Sequence, residues 1–97
     1  MSECKGKIVY YVDDRGWGYA KVLEREEIVK AILAKTDYTI DVGLAEQILD
    51  AYLDALRGES TVFQDELLKT HRDIADFLDG FVEEVDEETA KKYFNIP

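Results

Sequence analysis

The sequence predicts an α+β fold, in which an N-terminal β-hairpin packs on three main α-helices and a short C-terminal helix. Residues 8–22 show the alternating, β-branched and aromatic pattern of two strands separated by a turn. Beyond the hairpin, apolar residues recur every three or four positions, which places them on one face of a helix. The length of 97 residues and the apolar content of 46% predict a single domain over 1–97, with the hairpin in 1–22 and an acidic helical part in 23–97.

The hairpin is predicted from two extended segments and the turn between them. Residues 8–12 and 17–22 carry the strand pattern, and Asp13-Asp14-Arg15-Gly16 supplies residues that favour turns. Two strands alone are barely stable in water, so the hairpin must pack on the helices or pair with another copy of the chain. A chain of this size buries only roughly 60 to 65% of its unfolded surface. A homodimer is therefore one way to complete the core.

The first two helices are predicted from apolar spacing and from residues that favour helix ends. The first runs over 24–35 and has acidic residues in its first turn, where the helix dipole favours them. Thr39 or Asp41 can cap the second helix, 42–57, which is apolar over more than half of its circumference. We expect that helix to lie at the centre of the core, and Gly58 to adopt the left-handed conformation that ends it.

The third helix is predicted from residue 61 to residue 79, and a short fourth helix over about 87–94. Thr61 and Gln64 fit a capping box at the start of the third helix, and Asp86 can cap the fourth. The apolar residues of the third helix are predicted to form one buried stripe: Phe63, Leu67, Leu68, Ile74, Phe77 and Leu78.

The net charge of −10 is unevenly distributed along the chain. Residues 1–35 contain seven basic and six acidic residues, whereas 36–97 contain five basic and sixteen acidic ones. Such a negative field repels phosphate backbones and attracts basic partners. We therefore expect the helical part to bind a basic protein and not nucleic acid, although many small proteins are acidic for solubility alone.

The second helix carries a stripe of three carboxylates at intervals of four residues, Glu46, Asp50 and Asp54, which we call the α2 stripe. Like charges at this spacing are mildly destabilising unless a cation offsets them. We predict a docking surface for a basic partner, with a solvated face and a cation site as alternatives. The sequence contains neither the glycine-turn calcium loop nor the Glu-x-x-His pairs of di-metal bundles, so no metal is predicted.

Four aromatic residues of the hairpin fall within ten positions: Tyr10, Tyr11, Trp17 and Tyr19. Basic residues flank them: Lys5, Lys7, Arg15 and Lys21. Aromatic rings among cations suit stacking on single-stranded nucleic acid, and they equally suit a protein hot spot. We predict Tyr11, Trp17 and Tyr19 as partner-binding residues and favour a protein contact because the rest of the chain is acidic. The alternative function is nucleic-acid binding through the hairpin, as part of a dimer. A further alternative is that all four rings pack on the helices and have a structural role only.

No catalytic residue and no cofactor are predicted. His71 and Cys4 cannot supply the three or four ligands of a zinc site, and Gly16-Trp17-Gly18 lacks the third glycine of a dinucleotide-binding loop. No serine, threonine or cysteine stands at a recognisable spacing from a base. The single cysteine, the absence of a secretion-type start and the lack of an apolar run of about 20 residues favour a cytoplasmic protein with no membrane contact.

These observations lead to one leading functional hypothesis. The chain is expected to be a non-enzymatic, acidic protein–protein interaction module, such as an inhibitor or regulator. It would present carboxylates to a basic or nucleic-acid-binding protein.

Overall fold

The computed structural model describes residues 7–94, which form three strands and five helices. In chain order the elements are β1 (Ile8–Val12), β2 (Gly18–Val22), α1 (Arg25–Lys35), α2 (Val42–Arg57), α3 (Val62–Thr70), α4 (Arg72–Asp79), β3 (Val82–Glu84) and α5 (Glu87–Tyr93). The α+β fold class is confirmed, with the sheet built on the N-terminal hairpin and a short helix near the C-terminus.

The sheet has the strand order β2-β1-β3. β1 and β2 form the predicted antiparallel hairpin, in which Tyr10 lies opposite Ala20. β3 runs parallel to β1, with Val82 opposite Ile8. This third strand was not predicted, because Glu83 and Glu84 have low strand propensity and the segment has one apolar residue only. The strand forms because the other edge of β1 offers backbone groups that need partners.

Several helix ends follow the predicted local chemistry. The carboxylate of Asp41 accepts a hydrogen bond from the backbone N–H of Leu44 at 2.8 Å and caps α2. Gly58 ends α2 with a φ of 76°, the left-handed conformation that glycine adopts without a steric penalty. Thr61 and Gln64 form the expected capping box at the start of α3.

The predicted third helix is divided at His71 into α3 and α4. His71 has φ −114° and ψ 46°, outside the helical region, and the Thr70 hydroxyl donates to the Glu66 carbonyl. Side-chain bonding of this kind bends helices. Ile74 of α4 is buried, whereas α3 contains no buried residue. The prediction that Phe63 lies in the buried stripe is wrong, because its side chain is 68% exposed in the first turn of α3.

The main core lies between the sheet and the helices α1, α2 and α4. α2 contributes more buried residues to this core than any other element, as its wide apolar face predicts: Ala45, Ile48, Leu49, Tyr52 and Leu53. The opposite face of the sheet is covered by α5, which packs on β1 and buries Ala90 next to a second apolar layer that includes Val9. No helix within residues 7–94 is long and apolar enough to cross a membrane.

Tyr52 links the centre of α2 to the end of α4. Its side chain is buried, and its hydroxyl donates a hydrogen bond to the carboxylate of Asp79. Burial raises the pKa of Tyr52 above its usual value, and the hydrogen bond to Asp79 and the charge of that carboxylate raise it further. The folded protein therefore favours the protonated phenol more strongly than the unfolded chain does.

This difference predicts a loss of stability in alkali. A tyrosine in the unfolded chain releases its proton near pH 10, so the contribution of Tyr52 is complete below that pH and declines above it as the unfolded state ionises. At about pH 8 we expect Tyr52→Phe to lower the free energy of unfolding by about 1 kcal/mol. Urea unfolding at rising pH should show this gap narrowing above about pH 10. A gap that stays constant would contradict the assignment.

Candidate partner-binding surface

The α2 stripe lies on the side of α2 that faces away from the core. Glu46 and Asp50 are exposed, and Asp54 is half-buried. The three carboxylates share this face because residues four positions apart lie above one another on a helix. Residues between them, such as Ile48 and Leu49, are buried in the core. The sequence-predicted carboxylates thus share one helix face, and they differ in what surrounds them.

Two members of the stripe are bound by cations of the same chain. Asp50 forms an ion pair of 2.9 Å with the guanidinium group of Arg25 on α1. Asp54 forms one of 3.1 Å with Arg57, and its other oxygen accepts a hydrogen bond of 2.7 Å from the Gln64 amide of α3. The like-charge cost of the stripe is therefore offset from within the protein at these two positions.

Glu46 is the member of the stripe that keeps its charge uncompensated. Its side chain is exposed, and no cation among residues 7–94 lies within ion-pair distance of it. It stands in the second turn of α2, beside a groove that separates α2 from α1. An exposed carboxylate at the edge of a groove is free to pair with a cation on another molecule.

The groove between α1 and α2 is mostly apolar. It has a volume of about 360 Å³, and Val29, Leu33 and Val42 form its apolar lining. Val42 is 51% exposed although it directly follows the Asp41 cap, so its methyl groups meet solvent at the mouth of the groove. We call this feature the α1–α2 groove.

A second groove lies on the other side of α2, against α3. Its volume is about 350 Å³, and it is lined by Gln47, Asp50, Phe63 and Leu67 together with the residues of the α3 capping box. The exposed ring of Phe63 stands at its border. Apolar side chains thus lie beside Glu46 and Asp50, whereas Asp54 is surrounded by polar residues such as Arg57 and Gln64. These apolar neighbours were not predicted from the sequence. One feature of the sequence could have indicated this exposure. Val42 and Phe63 each lie in the first turn of a helix, at its end and not at its centre.

The hairpin aromatics are divided between the two faces of the sheet. Tyr10 packs against the main core. Tyr11 and Tyr19 lie on the face covered by α5, where their rings stack at a centroid distance of 6.1 Å and Tyr19 contacts Phe94 at 5.7 Å. Trp17, which precedes β2, is 57% exposed. Of the three aromatic residues predicted to bind a partner, only Trp17 therefore presents most of its surface to solvent.

Two of the described cations near these rings are bound to carboxylates, whereas Lys21 is exposed and has no ion pair within residues 7–94. Arg15 forms an ion pair of 3.0 Å with Asp13, and the Lys7 ammonium group lies 2.9 Å from Glu24. Lys5 lies outside the described residues. Partial burial raises the pKa of Asp13, but hydrogen bonds from the Trp17 N–H and from Arg15 outweigh it and hold that pKa below its usual value. Asp13 thus stabilises the turn through its hydrogen bonds, and it neutralises Arg15, which is then not free to bind a phosphate group.

The surroundings of Tyr11 are acidic. Burial raises the pKa of the Tyr11 phenol, and the negative charges of Glu87, Asp14 and Asp13 raise it further. These carboxylates come from the hairpin turn and from α5, so the aromatic face of the sheet lies in a negative field. That field opposes a phosphate backbone.

Within residues 7–94, no three acidic, histidine or cysteine side chains are grouped so that they could hold a metal ion. His71 is half-buried at the junction of α3 and α4, and Cys4 lies outside the described residues. No protein-family model, curated protein or solved structure matches the chain significantly, so the case for a function depends on the surface described above.

Proposed function

We propose that the chain is a non-enzymatic, cytoplasmic interaction module that presents the α2 stripe to a basic protein, as a small inhibitor or regulator does. The observation that carries the proposal is the uncompensated carboxylate of Glu46 at the edge of an apolar groove. Protein interfaces combine apolar anchors with complementary charges in this way. The net charge of −10 adds long-range attraction for a basic partner.

The geometry supports this proposal better than nucleic-acid binding through the hairpin. A stacking site for single strands combines several exposed rings with free cations. Here Tyr11 and Tyr19 are half-buried against each other, and Arg15 is paired with Asp13. One exposed tryptophan and one unpaired cation of the described hairpin, Lys21, form a weaker stacking site than the four aromatic and four basic residues of the sequence predict.

We expect binding of the partner to depend on the negative charges of the α2 stripe and not on the total negative charge of the protein. A variant with Glu46→Gln, Asp50→Asn and Asp54→Asn loses three charges from the α2 stripe. A control with Asp73→Asn, Asp76→Asn and Glu88→Gln loses three charges from exposed sites on α4 and α5. We expect the wild-type protein and the control to capture the same basic protein from a cell extract, and the stripe variant to lose it.

Salt provides the second measurement in this experiment. Because exposed charges are screened within about 8 Å at physiological ionic strength, raising the salt concentration should weaken capture by the wild-type protein. Equal capture by the stripe variant and the control would contradict a role for the α2 stripe. Capture of a single-stranded oligonucleotide that is lost on Trp17→Ala would favour the hairpin instead.

A further inference from the structure

We propose that the α1–α2 groove receives an apolar side chain of the basic partner, next to a cation that pairs with Glu46. The partner's binding segment is then amphipathic and not merely cationic. This inference rests on the proposed function and specifies the chemistry of the ligand that the same surface takes.

Three apolar side chains line the α1–α2 groove. Val29 lies on the floor as a member of the main core, Leu33 is half-buried against it, and Val42 is half exposed at the mouth. Covering these side chains removes apolar surface from water, which contributes about 25 cal/mol for each Å². A purely hydrophilic peptide on the groove would not gain this binding free energy, because it has no apolar side chain to cover the lining.

Two basic and two acidic side chains also line the groove. Arg25 is held by Asp50 at 2.9 Å, and Glu26 and Lys30, one charge of each sign, line the same groove and leave no net charge between them. Glu46 is left as the charge of the groove that these two pairs do not balance, and no cation of the described chain lies within ion-pair distance of it. A cation is therefore the group that complements the rim.

The charge of the protein indicates which kind of molecule occupies the groove. A second copy of this chain would bring another net charge of −10 to the groove, so charge disfavours self-association there. A basic segment of another protein satisfies both the apolar lining and Glu46. Apolar anchors that exclude water from a neighbouring ion pair also strengthen that pair, because the local dielectric constant falls.

A synthetic peptide can test the inference. The probe is a fluorescein-labelled peptide of about four helical turns that contains leucine and lysine at amphipathic spacing. Its partner peptide has glutamine in place of each leucine and the same charge. At about 0.15 M salt we expect the leucine peptide to bind about tenfold more tightly by fluorescence anisotropy, a difference of about 1.4 kcal/mol.

Variants of the protein then locate the anchor. Val42→Ser should reduce binding of the leucine peptide to the level of the glutamine peptide, because it removes the methyl groups at the mouth of the groove. Phe63→Ser is the matched control on the other side of α2, and it should leave binding unchanged. Both side chains are largely exposed, so thermal unfolding should confirm that both variants fold.

The possible failures are distinguishable. If Val42→Ser has no effect, or if Phe63→Ser causes the loss instead, the α1–α2 groove is not the anchor and the inference is overturned. Binding would then still weaken on neutralisation of the α2 stripe, as the proposed function requires. If neutralisation of the stripe leaves both peptides bound as tightly as before, the proposed function itself fails.

Discussion

Replacing Leu49 by alanine should destabilise the protein by about 3 kcal/mol. Leu49 is fully buried at the centre of α2, in the cluster shared by the sheet and the helices α1 and α4. Deletion of its branched end removes apolar contacts and leaves a cavity, because the surrounding helices and sheet can relax only in part. For a domain of this size the loss corresponds to a fall in Tm on the order of 15 °C.

Leu23→Ala is the matched control for this measurement. Leu23 follows β2 and is 36% exposed, so the same change of residue should cost well under half as much. Urea unfolding followed by circular dichroism compares the two variants. Equal losses of unfolding free energy would show that α2 does not occupy the centre of the core.

The second large effect is expected for Gly18→Ala, with a loss of about 2 to 3 kcal/mol. A Cβ atom at position 18 would lie 2.6 Å from the carbonyl oxygen of Leu56 and 3.0 Å from the Cα of Arg57. Both are backbone atoms at the end of α2, so a side-chain rotation cannot relieve the overlap. The start of β2 and the end of α2 would have to move apart.

This movement would also disturb a contact next to the glycine. The Arg57 guanidinium group donates a hydrogen bond of 2.8 Å to the carbonyl of Ala20 on the outer edge of β2. Gly43→Ala provides the control, since a Cβ atom there meets only an Asp41 oxygen at 3.5 Å within α2. That variant should be at least as stable as the wild-type protein, because alanine has a higher helix propensity than glycine. A stable Gly18→Ala protein would mean that β2 and α2 are not in close contact.

Features determined by neighbouring residues were predictable from the sequence. Asp41, Gly58 and the Thr61–Gln64 pair form their contacts within one helical turn, so the start and end of α2 and the start of α3 could be predicted. The predicted bounds of the first two helices agree with the structure to within a residue. The apolar width of α2 likewise predicted its central place, because it depends only on the helical repeat.

Features that depend on distant contacts were not predictable in this way. β3 forms because β1 is available as a partner, although Glu83 and Glu84 disfavour a strand. The pairing of Asp50 depends on Arg25, which another helix brings to it. Phe63 has the spacing of a buried residue, but it lies in the first turn of α3, which contains no buried residue, and the helix that would continue its apolar stripe is interrupted at His71.

The parallel pairing of β1 with β3 has a consequence for the folding of the chain. Ile8 finds its partner at Val82, so the sheet closes only after nearly the whole sequence is available. Non-local pairs of this kind slow folding, because the entropy of a long loop is lost before the strands interact. During synthesis on a ribosome, the backbone groups on one edge of β1 would remain unpaired until the helices and β3 have been synthesised. Completion of the sheet is then expected to be a late folding step, because it joins β1 to a strand that follows four helices.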